Sequence, residues 1–158
     1  MKTLIAYSTK YGTTARCANL LKEKLTGEVT LLGISKSGKV DLSLFDCVII
    51  GGPIYMGRLK KETKKFCDKN LDILVTRKIG LFVCHLEKEK SIVDIMATQF
   101  PHSLWQASVV ANGFGGASLV SMMKGMDKFM FANVAKSTED KEAIDYAHIE
   151  DFAKAIQA

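Results

Sequence analysis

The sequence predicts a doubly wound α/β domain, in which helices cover both faces of a parallel five-stranded sheet. Short, mostly apolar segments alternate along the chain with segments whose apolar residues recur at helical spacing. The segment Cys47-Val48-Ile49-Ile50 is apolar at every position, which is typical of a parallel strand covered on both sides. The length of 158 residues suits a single domain with one full core, so we predict one domain over residues 1–158.

The predicted elements follow this alternation in order. Strands are predicted at residues 2–7, 28–32, 47–51, 79–83 and 107–112, and helices at 14–25, 60–70, 91–99 and 149–156. In such sheets ligands bind beyond the carboxyl ends of the strands, where the winding direction reverses. We therefore expect the loops at 9–14, 52–57 and 84–87 to lie together.

Residues 113–143 interrupt the alternation and are predicted to be an insertion after the fifth strand. The opening Gly113-Phe114-Gly115-Gly116 is expected to be flexible. An apolar, methionine-rich helix face is then predicted from Leu119, Met122, Met123, Met126, Phe129, Met130 and Val134. Such a face either packs back on the sheet or receives a flat hydrophobic molecule, a membrane surface or a partner's groove.

The charge and hydropathy of the sequence argue against nucleic-acid binding and against a membrane-spanning segment. The formal net charge is +5, but the lysines are scattered and no basic stripe is interleaved with aromatic residues, so nucleic-acid binding is not expected. The densest basic group falls on a predicted helix and is interpreted as a solvated face; it comprises Lys60, Lys61, Lys64 and Lys65. No segment is apolar over the length of a membrane span and no signal sequence is evident, which predicts a cytoplasmic protein.

The four cysteines are expected to be buried, reduced thiols rather than disulfides or metal ligands. None of them forms a close CxxC pair, and each falls inside a predicted helix or strand; they are Cys17, Cys47, Cys67 and Cys84. Cys84 and His85 are adjacent in a strand and point to opposite faces, so they do not form a nucleophile and base pair. His102 and His148 have no partners at metal-ligand spacing and are predicted to be structural or exposed.

The strongest candidate for a binding site is the turn between the first strand and the first helix. Backbone N–H groups at a helix start lack partners and carry the positive end of the helix dipole, so they suit a phosphate. Hydroxyl groups can add further donors, and Gly12 lets the backbone approach closely. The alternative is an ordinary N-cap, which explains one hydroxyl but not several. The candidate residues are Thr9, Lys10, Tyr11, Gly12, Thr13 and Thr14.

Other phosphate-binding motifs fit less well. The segment from Gly33 to Val40 resembles a nucleotide P-loop, but Val40 stands where a hydroxyl would bind magnesium, and we interpret the segment as a loop. No GxGxxG follows the first strand, which argues against a dinucleotide site. The third strand ends in Gly51-Gly52-Pro53, so the acceptor aspartate of a phosphorylated receiver domain is missing.

The turn Tyr7-Ser8-Thr9-Lys10-Tyr11-Gly12-Thr13-Thr14 resembles the phosphate-binding signature of flavodoxin-type FMN proteins. The resemblance implies a flavodoxin-like fold with strand order 2-1-3-4-5 and an FMN phosphate bound by residues 9–14. It implies a second flavin loop at Pro53, Ile54, Tyr55, Met56 and Gly57, where Tyr55 or Met56 would lie against the ring and the Gly57 peptide would reorient with redox state. A third loop, at Cys84, His85 and Leu86, matches by position.

Within flavodoxin-like proteins, the sequence is most similar to the bacterial menaquinone-dependent protoporphyrinogen oxidase family. The similarity covers Met1–Ile5, Phe45–Gly51 and the inserted Asp127-Lys128-Phe129-Met130. It implies an FMN-dependent oxidoreductase that acts on a porphyrinogen or quinone, with the insertion contacting substrate and bringing the protein to the inner membrane face. The alternatives are a flavodoxin-type electron carrier between redox proteins and a binding module without flavin.

Overall fold

The computed structural model describes residues 1–36, 39–86, 91–118 and 141–158. The strands are β1 (Lys2–Tyr7), β2 (Glu28–Gly33), β3 (Cys47–Tyr55), β4 (Arg58–Leu59), β5 (Lys78–Cys84), β6 (Ser108–Gly113), β7 (Gly115–Ser118) and β8 (Lys141–Ile144). The helices are α1 (Thr13–Lys24), α2 (Lys61–Lys69), α3 (Leu71–Leu74), α4 (Ile92–Gln99), α5 (His102–Ala107) and α6 (Tyr146–Gln157).

The central sheet confirms the predicted strand order. Its order is β2-β1-β3-β5-β6 with every neighbouring pair parallel, and only the short β4 pairs antiparallel, with the end of β3. Without β4, this is the order 2-1-3-4-5 that the flavodoxin resemblance implies. The winding direction reverses between β1 and β3, so a crevice is expected beside their carboxyl ends.

Alternate residues of the central strands build two separate cores. In β3, Val48 and Ile50 belong to the core that packs under α2, α4 and α5, whereas Cys47 and Ile49 belong to the core under α1 and α6. All four of these side chains are fully buried. Since side chains alternate across a strand, a strand covered on both faces must be apolar at each position, as the sequence indicated.

Every strand and helix predicted outside the insertion is present, and the differences lie mainly at the ends. β3 continues past the predicted Gly51 to Tyr55, because Pro53 still pairs with Cys84 of β5 and Ile54 pairs with Leu59 of β4. The short helices α3 and α5 were not predicted. All four cysteines are buried and free, as expected.

The predicted flexible start of the insertion is wrong. Phe114 is fully buried, its ring stacks on Phe82 with centroids 4.6 Å apart, and it meets Phe152 edge-on at 5.2 Å. The glycines that follow form β7, which pairs antiparallel with β8. A buried aromatic side chain between the glycines fixes the segment, which the glycine content alone did not indicate. The predicted methionine-rich helix lies outside the described residues.

The connection from β2 to β3 also differs from a regular crossover. Its described residues, 34–36 and 39–46, form two single 3-10 turns, Ile34–Lys36 and Leu42–Leu44, where parallel strands are usually joined through an α-helix. No helix follows Lys39 directly, which agrees with the interpretation of this segment as a loop rather than a P-loop. No helix within the described residues is long and apolar enough to span a membrane.

Candidate functional site

The three predicted loops lie side by side at one edge of the sheet. Tyr7 pairs with Gly51, and the Ser8 amide donates to the Gly51 carbonyl over 3.1 Å, which brings the end of β1 to the end of β3. Pro53 pairs with Cys84, which brings the end of β5 alongside. The parallel register therefore brings together the three loops, as the strand ends predicted, except for Glu87, which lies outside the described residues.

The first loop has the geometry of an anion site. Gly12 caps α1 with φ +95°, a conformation that favours glycine, and its amide donates to Thr9 Oγ1 over 3.0 Å. The first helical hydrogen bond runs from the Arg16 amide to the Gly12 carbonyl over 3.0 Å. The amides of residues 13–15 precede that bond, so they point out of the helix start without helical acceptors.

A buried hydroxyl without a nitrogen or oxygen partner lies at the same place. Thr14 is 1% exposed, and among the described residues its Oγ1 is left with only the weak contact of the buried Cys84 thiol. Buried polar groups in folded proteins nearly always have a partner, so an orphan hydroxyl beside free amides fits a bound ligand with acceptor oxygens. The Thr9 hydroxyl accepts from Gly12, and its own proton remains available for donation. The loop thus offers neutral donors to an oxyanion.

Thr63 of α2 supports this loop from below, and sequence reasoning missed it. Its Oγ1 lies 2.5 Å from Ser8 Oγ in a buried hydrogen bond. A Cβ at Gly52 would lie only 2.4 Å from Thr63 Oγ1, so glycine is required there for Thr63 to reach Ser8. The available signal was a threonine one turn before Cys67 on the buried face of the predicted helix, where an apolar residue is usual.

The second loop is a tight β-hairpin. Tyr55 pairs with Arg58 across the turn, while Met56 (φ +54°) and Gly57 (φ +74°) both occupy the left-handed region, as in a type I′ turn. Met56 is 47% exposed at the tip. The Tyr55 hydroxyl is buried, and no residue in the described part of the chain forms a hydrogen bond with it. The turn therefore presents a soft apolar side chain and an aromatic ring side by side.

The other predicted residues of the second loop lie deeper. Ile54 is 8% exposed and packs in the core next to Leu59. The Pro53 carbonyl accepts from the Lys60 amide over 3.0 Å, which closes the hairpin onto the start of α2. These contacts shape the hairpin, and a direct contact of Pro53 and Ile54 with a ligand stays a prediction.

Lys10 connects the first two loops. Its Nζ lies 5.5 Å from the centroid of the Tyr11 ring and 5.2 Å from that of Tyr55, which is within cation–π range of both. The predicted phosphate loop and the predicted ring loop thus approach each other closely enough to share one side chain.

The third loop, residues 84–86, is held in place by contacts with Gly113 and Gly115. The His85 amide donates to the Gly115 carbonyl over 2.8 Å, and a Cβ at Gly113 would lie 2.4 Å from His85 Nε2. Leu86 is half-buried. The neighbouring Cys17 thiol and burial raise the pKa of the Cys84 thiol well above its ordinary value. Cys84 therefore stays a neutral thiol, in agreement with the expectation that it is no nucleophile.

His102 and His148 lie outside the three loops. His148 Nδ1 lies 2.9 Å from the Gly113 carbonyl and 3.3 Å from Asp145 Oδ2. His102 is exposed at the start of α5. Among the described residues, no group of histidine, cysteine and acidic side chains could hold a metal ion.

Comparison with known proteins agrees with this geometry. A family model described as a flavodoxin domain matches residues 4–145. No curated protein sequence matches the chain significantly.

Solved structures of the same fold share little sequence with this chain. Oxidised Flavodoxin 2 from Bacillus cereus superimposes with a TM-score of 0.67 at 22% identity, covering 99% of this chain and 98% of that one. A flavoprotein in complex with FMN from Lactobacillus acidophilus has a TM-score of 0.54 at 14% identity, over 71% of this chain and 92% of that one.

One solved structure is a much longer protein, of which only a part resembles this chain. The rubredoxin oxygen:oxidoreductase from Desulfovibrio gigas has a TM-score of 0.61 at 14% identity, covering 98% of this chain but 35% of that one. This chain therefore spans about a third of that oxidoreductase, and at these identities the likeness concerns the fold alone.

Proposed function

Because this chain belongs to the flavodoxin domain family, we propose that it binds FMN at the three loops and transfers electrons between redox partners. The observation that carries the proposal is the start of α1, where open amides lie beside a buried Thr14 hydroxyl that has no nitrogen or oxygen partner among the described residues. When bound, FMN supplies the redox chemistry, and the protein supplies position and environment.

Residues 9–14 would hold the phosphate through neutral donors. The amides of residues 13–15 and the hydroxyls of Thr9 and Thr14 all belong to the start of α1, at the positive end of the helix dipole. The buried hydrogen bond between Ser8 and Thr63 attaches the start of this loop to α2. A phosphate monoester is thereby held without a metal ion.

The hairpin and the third loop would hold the flat ring. Tyr55 and Met56 offer an aromatic and a polarizable surface, and the buried Tyr55 hydroxyl has unused hydrogen-bonding capacity. Apolar contacts of this kind disfavour a charged ring over a neutral one. Gly57 accepts its positive φ without strain, so its peptide can reorient beside the ring.

A second candidate is an oxidase of the protoporphyrinogen type with a quinone acceptor. It is supported by where the insertion leaves the core: Gly115, at the start of β7, accepts a hydrogen bond from His85 of the third loop. The strand β7, which leads toward residues 119–140, therefore begins beside the proposed ring site. Since quinones of this kind are lipids, this candidate would also bring an otherwise cytoplasmic protein to a membrane surface.

Flavin binding is tested by the visible spectrum and by titration. The protein purified with excess FMN should be yellow and should quench FMN fluorescence on binding. The double variant Thr9→Ala/Thr14→Ala should bind FMN about tenfold more weakly for each hydroxyl lost. Thr98→Ala, an exposed hydroxyl on α4 that donates to the Ile95 carbonyl, is the matched control. Unchanged affinity of the double variant would place the phosphate elsewhere.

The two electron-transfer roles are separated by rates. The reduced protein is mixed anaerobically with a small redox protein such as a cytochrome, and in parallel the oxidised protein with protoporphyrinogen and a quinone. Faster transfer to the redox protein supports the carrier, and faster turnover of the small molecules supports the oxidase.

A further inference from the structure

A cavity of about 410 Å³ lies away from the three loops, between α2 and the connection that follows β2. Its apolar wall consists of Ile34, Val40 and Phe66, all partly buried against the core. This volume falls within the range of small-molecule pockets in proteins, about 300–1,000 Å³.

The cavity has an origin in the fold. The β2–β3 connection makes two 3-10 turns where a parallel crossover normally provides a helix. Phe66 of α2, which lines the cavity, is only partly buried against the core. The cavity therefore lies beside a connection whose described residues provide no α-helix to cover this flank.

The rim of the cavity is basic. Lys65 and Lys69 stand one turn apart on the same face of α2, and Lys39 faces them from the loop. Within the described residues, none of these lysines forms a salt bridge. The acidic residue of the lining, Glu62, is paired with Lys60 over 2.8 Å. The unpaired charge at the rim is therefore positive.

We propose that this cavity is a binding site for an organic anion with an apolar body, of the aryl or alkyl carboxylate class. The apolar body lies against Phe66, Ile34 and Val40, and the carboxylate lies among the three rim lysines. Asn70, at the end of α2, adds amide hydrogen-bonding capacity to the lining. The proposal stands on the cavity alone and does not depend on flavin binding.

The test is an NMR titration of the ¹⁵N-labelled protein with 2-naphthoate, in the presence of saturating FMN so that the first loop is occupied. Saturable shifts are expected at the amides of Val40, Phe66 and Lys69. The double variant Lys65→Gln/Lys69→Gln should weaken the 2-naphthoate affinity by about fivefold or more, since each exposed ion pair contributes modestly.

Lys64→Gln is the matched control, because Lys64 belongs to the same helix and does not line the cavity. It should change the affinity by less than about twofold. Equal weakening by Lys64→Gln would mean that net charge alone attracts the anion, and shifts centred on residues 9–14 would assign it to the loop. Either result, or binding of neutral 2-naphthalenemethanol as tight as that of 2-naphthoate, overturns the proposal.

Discussion

Substitution of Phe114 by alanine should strongly destabilise the fold. The side chain is fully buried, stacked on Phe82 with an interplanar angle of 14°, and in edge contact with Phe152. Removing a buried phenylalanine ring loses its burial and leaves a cavity, at a cost of about 3–5 kcal/mol. With a urea dependence of about 2 kcal/mol per molar, the unfolding midpoint should fall by about 2 M.

The assay is urea unfolding followed by far-UV circular dichroism at one fixed FMN concentration, so that ligand binding contributes equally to proteins of equal affinity. Phe114→Leu should keep most of the stability because it fills most of the space. Val93→Ala, at a side chain that is 39% exposed on α4, should change the free energy of unfolding by less than about 0.5 kcal/mol.

If the glycine-rich segment around Phe114 were flexible, as the sequence predicts, Phe114→Ala would lower the free energy of unfolding far less. A decrease below about 1 kcal/mol for Phe114→Ala would refute the packing described for this residue and restore that earlier expectation.

Three further outcomes are expected. Thr63→Val should lower the free energy of unfolding by about 1–3 kcal/mol in a denaturant titration, because it leaves the buried Ser8 hydroxyl unpaired; a value near zero would remove Thr63 from the support of the loop. Gly12→Ala should cost about 1–2 kcal/mol through its φ of +95° alone, since no atom lies within 4 Å of the added Cβ; near wild-type stability would contradict the left-handed cap. Burial raises the pKa of Cys47 to about 11 and that of Cys67 to about 12, from 9.0. The folded state therefore holds these protons more tightly than the unfolded state, and the free energy of unfolding should decrease above pH 9, by about 1.4 kcal/mol per thiol at pH 10. The measurement is the urea midpoint at pH 8 and at pH 10. The decrease between the two should be smaller in Cys67→Ala than in the unsubstituted protein.

Much of the fold followed from local patterns. Apolar strands and amphipathic helices gave the element order, because burial on both faces of the sheet leaves a continuous apolar run such as Cys47–Ile50. The turn at residues 9–14 was recognisable because helix-start chemistry depends on residues close in sequence.

The missed features depend on contacts between distant residues. Thr63 became part of the loop's support only through Ser8, 55 positions away in sequence. Likewise, the extension of β3 beyond Gly51 required the partners Cys84 and Leu59. Neither partnership leaves a local pattern, so only the tertiary structure reveals it.

The antiparallel stem of β7 and β8 has a consequence for engineering. Ser118 pairs directly with Lys141, so the two ends of the intervening stretch lie one strand spacing apart. A two-residue Asn-Gly link would therefore join them as a hairpin without altering the register. The shortened variant would retain the three loops at the sheet edge. A comparison of the electron acceptors of this variant with those of the full chain would show what residues 119–140 contribute. Related chains could exchange such cassettes at the same junction while keeping one shared redox module.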